Sequence, residues 1–169
     1  MSDPFTFAVD AIWDVLDNHT AFAALVKEKN RIRLDAGFKP FKETLMEASV
    51  PEVAILLAGK RFEENPCSGI SIVQTLHVTV TSGLRNTSLV LPTQWRIIQA
   101  IYVAINTAAT GLMSLPYESE NIIKQVMFLP IEEGLTYNEL NRTLEGWAAI
   151  LPLEVKLFLS NSLLGLEET

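Results

Sequence analysis

The sequence has few of the residues from which catalytic and metal sites are usually built. It contains 169 residues, with one cysteine, two histidines and eight glycines. The single Cys67 excludes an internal disulfide and suits a reducing compartment. No HxH, HExxH or CxxC spacing occurs, and the glycines form no phosphate-binding loop. We therefore expect no catalytic residue, no metal ion and no cofactor.

Positive charge and long hydrophobic runs are also scarce. The 13 Lys and Arg residues are outnumbered by 20 Asp and Glu, and the net charge of -7 argues against general affinity for nucleic acid or anionic lipid. No apolar run is long enough to span a bilayer, and no signal peptide begins the chain. With 49% apolar residues the chain can bury a real core. We expect one soluble cytoplasmic domain, residues 1–169, with no membrane partner.

Acidic residues occur in two groups that could carry chemistry. Asp10, Asp14 and Asp17 lie on one face of a predicted helix, but no histidine or glycine-bearing loop accompanies them, which favours a solvated face over a metal site. Glu132 and Glu133 could act as paired acids in hydrolysis. Two exposed carboxylates at a strand end explain that pair as well or better.

The histidines and the cysteine have structural explanations too. His77 lies in the middle of a predicted strand, and His19 lies in a helix break, where a turn or capping role suffices. Cys67 has no Lys, Arg or His close by to lower its pKa. We therefore expect a protein that is not an enzyme.

The most ordered pattern lies between residues 70 and 106. From Ile72 to Val80 apolar residues alternate with polar ones, which is the period of a strand with one buried face. Pro92 then suits the first turn of a helix that runs to residue 106. This helix is apolar on both flanks, and a helix of that kind is either enclosed within its subunit or covered by a neighbour.

The other elements are predicted from the same two periods. Ser2, Asp3 and Pro4 form a helix start, followed by an apolar stripe through Leu16, and a second helix is expected over residues 21–29. Residues 36–49 are expected to be a connection, and 107–120 a loop. Strands are predicted at 53–62, covered on both faces, at 126–133 on an edge, and at 147–159, where Pro152 indicates an edge or a bulge. Residues 134–145 are either a hairpin loop or a short helix.

This order of elements predicts an α+β fold of two layers, in which an antiparallel sheet of about four strands carries helices mainly on one face. The chain resembles the tail terminator and tail completion proteins of long-tailed bacteriophages and their prophage relatives. The matching pieces are the N-terminal helix, the strand at 53–62, SIVQTLHVTVTSG at 71–83, PTQWRIIQAIYVAIN at 92–106 and LPLEVKLFLS at 151–160.

The resemblance implies a homo-oligomeric ring, a hexamer, that ends the phage tail tube and offers the surface for head-tail joining. Its partners would be other copies of itself, the tail tube protein and the head-completion or connector protein, while DNA passes through without specific binding. It implies a place in the virion, after assembly in the host cytoplasm. The loops at 63–69, 84–91 and 134–145 would contact the tube or the connector. The residues expected at the oligomer or partner interface are Arg85, Trp95, Ile97, Val103, Glu132, Glu133, Glu154 and Lys156.

Two alternatives stay open at this point. One is another phage component, such as a baseplate or head-tail adaptor protein. The other is a small-ligand-binding module or enzyme with a pocket between the 92–106 helix and the sheet, lined by His77, Tyr102 or Trp95.

Overall fold

The structure is a computed structural model that describes residues 3–33, 51–63, 68–82, 87–138 and 143–165. The predicted connection at 36–49 lies wholly outside these residues. The helices are α1 (Pro4–Asp17), α2 (Thr20–Leu25) and α3 (Thr87–Met113), with a 3-10 turn at Glu28–Asn30. The strands are β1 (Arg31–Ile32), β2 (Glu52–Glu63), β3 (Gly69–Ser82), β4 (Ile123–Phe128), β5 (Glu132–Asn138) and β6 (Thr143–Ser160).

The strands form one mixed sheet in the order β1-β2-β3-β6-β4, and β5 pairs with β6 on the same side as β4. All pairs are antiparallel except β1 with β2. The α+β class is confirmed, but the prediction of about four antiparallel strands was wrong. The parallel strand β1 has only two residues, which is too short for any periodicity to reveal. The predicted strand at 126–133 is two strands, separated at residues 129–131.

The core lies on one face of the sheet. Every second residue from Ile72 to Val80 in β3 and from Ala149 to Leu159 in β6 is buried, such as Leu76, Val78, Leu153 and Val155. These side chains belong to one hydrophobic cluster with residues of α1, α2 and α3. The alternate residues of both strands are mostly only partly buried. The protein is therefore layered, with helices on one side and an open sheet face on the other.

The two N-terminal helices differ in how well they were predicted. Asp3 caps α1 by accepting hydrogen bonds from the amides of Phe5 and Thr6, at 2.9 and 3.0 Å, as the Asp-Pro start indicates. The second helix was predicted to reach residue 29 but ends at Leu25. Val26 is extended and buried, so the apolar pattern continued past the point where the helix stopped.

Strand β2 was predicted to be covered on both faces, and this was wrong. Val53 and Ile55 are buried, but Leu57 is 45% exposed and Phe62 is 67% exposed. A bulge interrupts its pairing with β3 between Leu57 and Gly59. Only the first part of β2 pairs with β1, so among the described residues its second half is an edge.

Helix α3 is longer than predicted at both ends. It has 27 residues and contains Pro92 as its sixth residue, although the proline was expected in the first turn and residues 107–120 were expected to be a loop. Alanines 108 and 109 are strong helix formers that carry the helix to Met113, and one glycine at 111 costs only about 1 kcal/mol there. Gln94 joins the helix to the sheet, since its Nε2 donates to the Val80 carbonyl oxygen at 3.0 Å.

Pro152 was expected at an edge or a bulge, yet β6 is an interior strand and its register with β3 is unbroken. The amide of Leu129 donates to the Pro152 carbonyl oxygen at 2.9 Å, so that oxygen points toward β4 and β5. In an antiparallel strand the nitrogen and carbonyl of one residue point to the same neighbour. The missing N–H therefore faces the gap between β4 and β5, and no bond to β3 is lost.

The segment at 134–145 is a hairpin in its described part. Strand β5 continues to Asn138, and β6 begins at Thr143 as its partner. Trp147 is the first residue of β6 that pairs with β3. The last residues of β5, Thr136 to Asn138, pair with β6 residues that precede Trp147 in the chain. The hairpin therefore projects past the end of β3.

Candidate interaction surfaces

The residues expected at an interface do not form one surface. Trp95 and Val103 are 54% and 52% exposed on α3, whereas Ile97 is completely buried in the core. Glu132 and Glu133 are exposed on β5, and Glu154 and Lys156 lie on the open face of β6. Arg85 lies outside the described residues. The structure thus divides the set between the outer side of α3, strand β5 and the open sheet face.

The first surface is an exposed apolar stripe on α3, formed by Leu91, Trp95, Tyr102 and Val103, which we call the α3 stripe. Arg96 is the only charged residue in all 27 positions of the helix. The Tyr102 ring stacks on Phe128 of β4 at a centroid distance of 5.0 Å, which places the stripe on the β4 flank. Exposed apolar residues grouped on one helix, here interspersed with the exposed Arg96 and Gln99, are a candidate interaction site.

The second surface is the open sheet face, which carries a small charged cluster near one end. Lys156 contacts the Glu63 carboxylate at 2.9 Å, and Arg61 lies 3.7 Å from the same carboxylate. The hydrogen bond from Lys156 is the main reason that the pKa of Glu63 lies below its usual value. Glu154 lines the same shallow hollow. Such exposed pairs contribute little stability, so the cluster is better suited to orienting a partner.

The third surface is a groove of about 550 Å³ between α1 and β2, which we call the α1–β2 groove. Its apolar walls include Phe5, Val9 and Trp13 of α1 and Leu57 of β2. Its volume lies within the range of about 300–1,000 Å³ that is usual for small-ligand sites. It is therefore large enough to receive a bulky group.

Polar groups are placed at two points of this groove. Gln74 is completely buried, and its Nε2 donates to the carbonyl oxygen of Phe5 at 3.4 Å. Its Oε1 has no hydrogen-bond partner among the described residues. The Lys60 ammonium lies 3.2 Å from the centroid of the Phe5 ring, with no carboxylate partner in the described part of the chain. The groove thus combines apolar walls with a buried acceptor, and its polar lining also includes Asp3, Thr6, Asp10, Arg33 and Lys60.

The residues considered for chemistry have structural contacts. The Nδ1 of His19 accepts from the Phe22 amide at 3.3 Å and caps α2. Asp17 is bound by Arg31, at 2.9 Å, and by Arg33. Within the described ranges no group of three or more His, Cys, Asp or Glu residues could hold a metal ion. No described helix is long and apolar enough to cross a membrane.

The alternative of a ligand pocket between α3 and the sheet does not include His77. His77 pairs with Leu56 and lies on the open face, whereas Tyr102 and Trp95 are on α3, on the opposite side of the sheet. The three side chains cannot line one cavity.

The groove residues Gln74, Leu57 and Lys60 were missed by the sequence analysis. One signal was available for Gln74, because it is the polar member of the buried series Ile72, Gln74, Leu76. A polar residue on a buried strand face needs a partner. No comparable signal marked Leu57 or Lys60, since their exposure depends on how far α1 extends over β2.

Comparison with known proteins gives a likeness of fold. No protein-family model matches the sequence, and no curated protein matches it significantly. Solved structures do match. One is a chain in a structure described as "Virion of native gene transfer agent (GTA) particle", with a TM-score of 0.55 and 12% sequence identity. The match covers 93% of this chain and 99% of that one. At this identity the likeness shows that the two chains share a fold.

Proposed function

We propose that this protein is a non-enzymatic structural component of a phage-like virion, which forms a ring at the end of the tail tube and supplies the surface for head-tail joining. The observation that carries the proposal is the shared fold with a chain of a gene transfer agent virion, which extends over nearly the full length of both chains. The partners are further copies of the protein, the tail tube protein and the head-completion or connector protein.

The distribution of exposed apolar residues supports self-assembly. The α3 stripe leaves a tryptophan and a tyrosine about half exposed on a helix with a single charge. Leu57 and Phe62 are exposed at the opposite edge of the sheet. Two different surfaces on opposite sides of a subunit are what a head-to-tail contact needs, and such contacts close into rings. We propose a ring of six.

Charge supports the proposed passage of DNA. The net charge of -7 opposes tight binding to phosphates, so DNA can pass through the ring without being held. Glu154, Lys156, Glu132 and Glu133 remain proposed residues of the oligomer or partner interface, and the hairpin of β5 and β6 remains a proposed contact with the tube or connector. The protein would act in the virion and assemble in the host cytoplasm.

Deletion of the gene, followed by electron microscopy of the particles, tests this function. Loss of a protein that ends tube growth should give tubes of irregular, excess length and heads without tails. A baseplate component would instead leave heads without tubes, and an adaptor would leave tubes of normal length unattached. Normal, complete particles after deletion would contradict a structural role. Rescue by the gene on a plasmid is the control.

A further inference from the structure

We propose that Trp95 of one subunit inserts into the α1–β2 groove of the next subunit, where its indole N–H donates to the Oε1 of Gln74. This contact rests on the proposed ring and names the two surfaces that build it. The occupant of the groove is therefore a second copy of this chain.

The first argument is hydrogen bonding. The Phe5 carbonyl can only accept, so the Gln74 amide presents Nε2 to it. This leaves Oε1 buried beneath the groove that Gln74 lines, without a partner among the described residues, so a donor from the groove reaches it only after a small shift of the groove floor. A fully buried acceptor without a partner is destabilising. A donor carried on an apolar body fits this site, because the apolar walls Phe5, Val9, Trp13 and Leu57 adjoin the polar part of the lining, which is Asp3, Thr6, Asp10, Arg33 and Lys60. An indole is such a group, since it is apolar apart from one N–H, which only donates.

The second argument is that Trp95 is available. It is 54% exposed in the middle of the α3 stripe, and its indole has no hydrogen-bond partner among the described residues. Tryptophan buries about 150–250 Å² when it packs and is enriched at interface hot spots. A groove of about 550 Å³ has room for its ring.

The third argument is position. The groove lies beside β2, and the α3 stripe lies beside β4, at the other side of the β3–β6 pair. A subunit cannot fill its own groove with its own Trp95 across the sheet. The contact is therefore between different surfaces of two copies, which is the arrangement that repeats around a ring.

Charge favours the same pairing. Lys60 lies at the groove without a carboxylate partner in the described residues. Glu133 is exposed on β5, and its pairing with the buried Ala149 places its side chain on the helix side of the sheet, on the flank of the α3 stripe. Glu133 of one copy would thus face Lys60 of the next, while Arg96, which is exposed beside Trp95, would face Asp10, a further lining residue of the groove. Asp3 also lines the groove, but its carboxylate is engaged in capping α1.

Two complementary variants test the contact. Trp95→Ala keeps the groove but lacks the inserted ring, and Leu57→Trp keeps Trp95 but fills the groove from an exposed strand position. Each alone should lose assembly, with a dissociation constant raised about 30-fold or more, as for a central hot-spot tryptophan. Mixed in equal amounts, they should form one heterodimer and nothing larger, because each supplies the surface that the other lacks. Leu115→Ala, at an exposed apolar site beyond α3, is the control and should assemble like the wild type.

Molar mass by light scattering separates the outcomes. Formation of the heterodimer shows that both variants are folded. If the wild type assembles and Trp95→Ala assembles equally well, or the mixture stays monomeric, this contact is wrong while the proposed ring stands. A wild type that stays monomeric overturns both. Trp95→Phe adds a finer test, since it keeps an aromatic ring but leaves Gln74 unsatisfied, and should weaken assembly about tenfold.

Discussion

Replacing Gly69 with alanine should destabilise the protein, because this glycine lies where β3 begins against β6. An alanine Cβ at this position would lie 2.2 Å from the carbonyl oxygen of Leu159 and 2.9 Å from the Cα of Ser160. Both are backbone atoms of the paired strand, so no side-chain rotation relieves the clash, and the strands must separate locally. Overpacking of this kind costs about 1–3 kcal/mol. For a chain of this size that corresponds to a fall in Tm of about 2–12 °C.

Thermal unfolding followed by circular dichroism measures the effect, and Gly59→Ala is the matched control. Gly59 also lies in a strand, but an added Cβ there meets no atom within 4 Å among the described residues. That variant should be unchanged, or stabilised by about 0.4–1 kcal/mol through the unfolded chain. An unchanged Tm for Gly69→Ala, or an equal fall for Gly59→Ala, would refute the close approach of β3 and β6.

Three further predictions concern single contacts. Asp3→Ala should cost about 0.5–2 kcal/mol of stability by removing the α1 cap. Hydrogen bonds, chiefly from the Thr6 hydroxyl, lower the pKa of Asp3, so its contribution is complete above the usual aspartate pKa and is lost as the pH falls; Asp3→Asn should lack this pH dependence in urea unfolding. Gln94→Leu should cost no more than about 1 kcal/mol in the same assay, because loss of the Nε2 donor to the Val80 carbonyl is offset by removal of the buried Oε1, which has no partner among the described residues; a loss above about 2 kcal/mol would contradict this. Lys156→Met should raise the pKa of Glu63 toward its usual value in an NMR titration, and an unmoved pKa would mean that the pair does not form in solution.

Local periodicity was sufficient to predict the elements that bury one regular face. The alternation from Ile72 to Val80 and from Ala149 to Leu159 predicted β3 and β6, because each strand places every second side chain in the core. The cap at Asp3 likewise predicted the start of α1. Helix α3 was predicted in its centre, where isoleucines repeat at helical spacing. Its first five residues precede a proline and its last turns are rich in alanine and threonine, so no pattern marked either boundary.

Other features depend on contacts between distant segments and left no local trace. Pro152 indicates an edge on its own, and only the position of Leu129 shows that its missing N–H faces a gap. Ile97 and Trp95 are both large apolar residues of α3, so residue type alone predicts the same burial for both. Residues two positions apart on a helix point to opposite sides, however, and Ile97 is buried whereas Trp95 is exposed. The α1–β2 groove arises because α1 does not extend over Leu57, which no pattern in either segment records.

The absolute mass of the wild-type protein, measured by light scattering over a concentration series and followed by negative-stain imaging, tests the central claim most directly. A ring of six subunits of 18.8 kDa predicts a species of about 113 kDa with a central hole. A monomer of 18.8 kDa at every concentration would contradict a self-assembling ring.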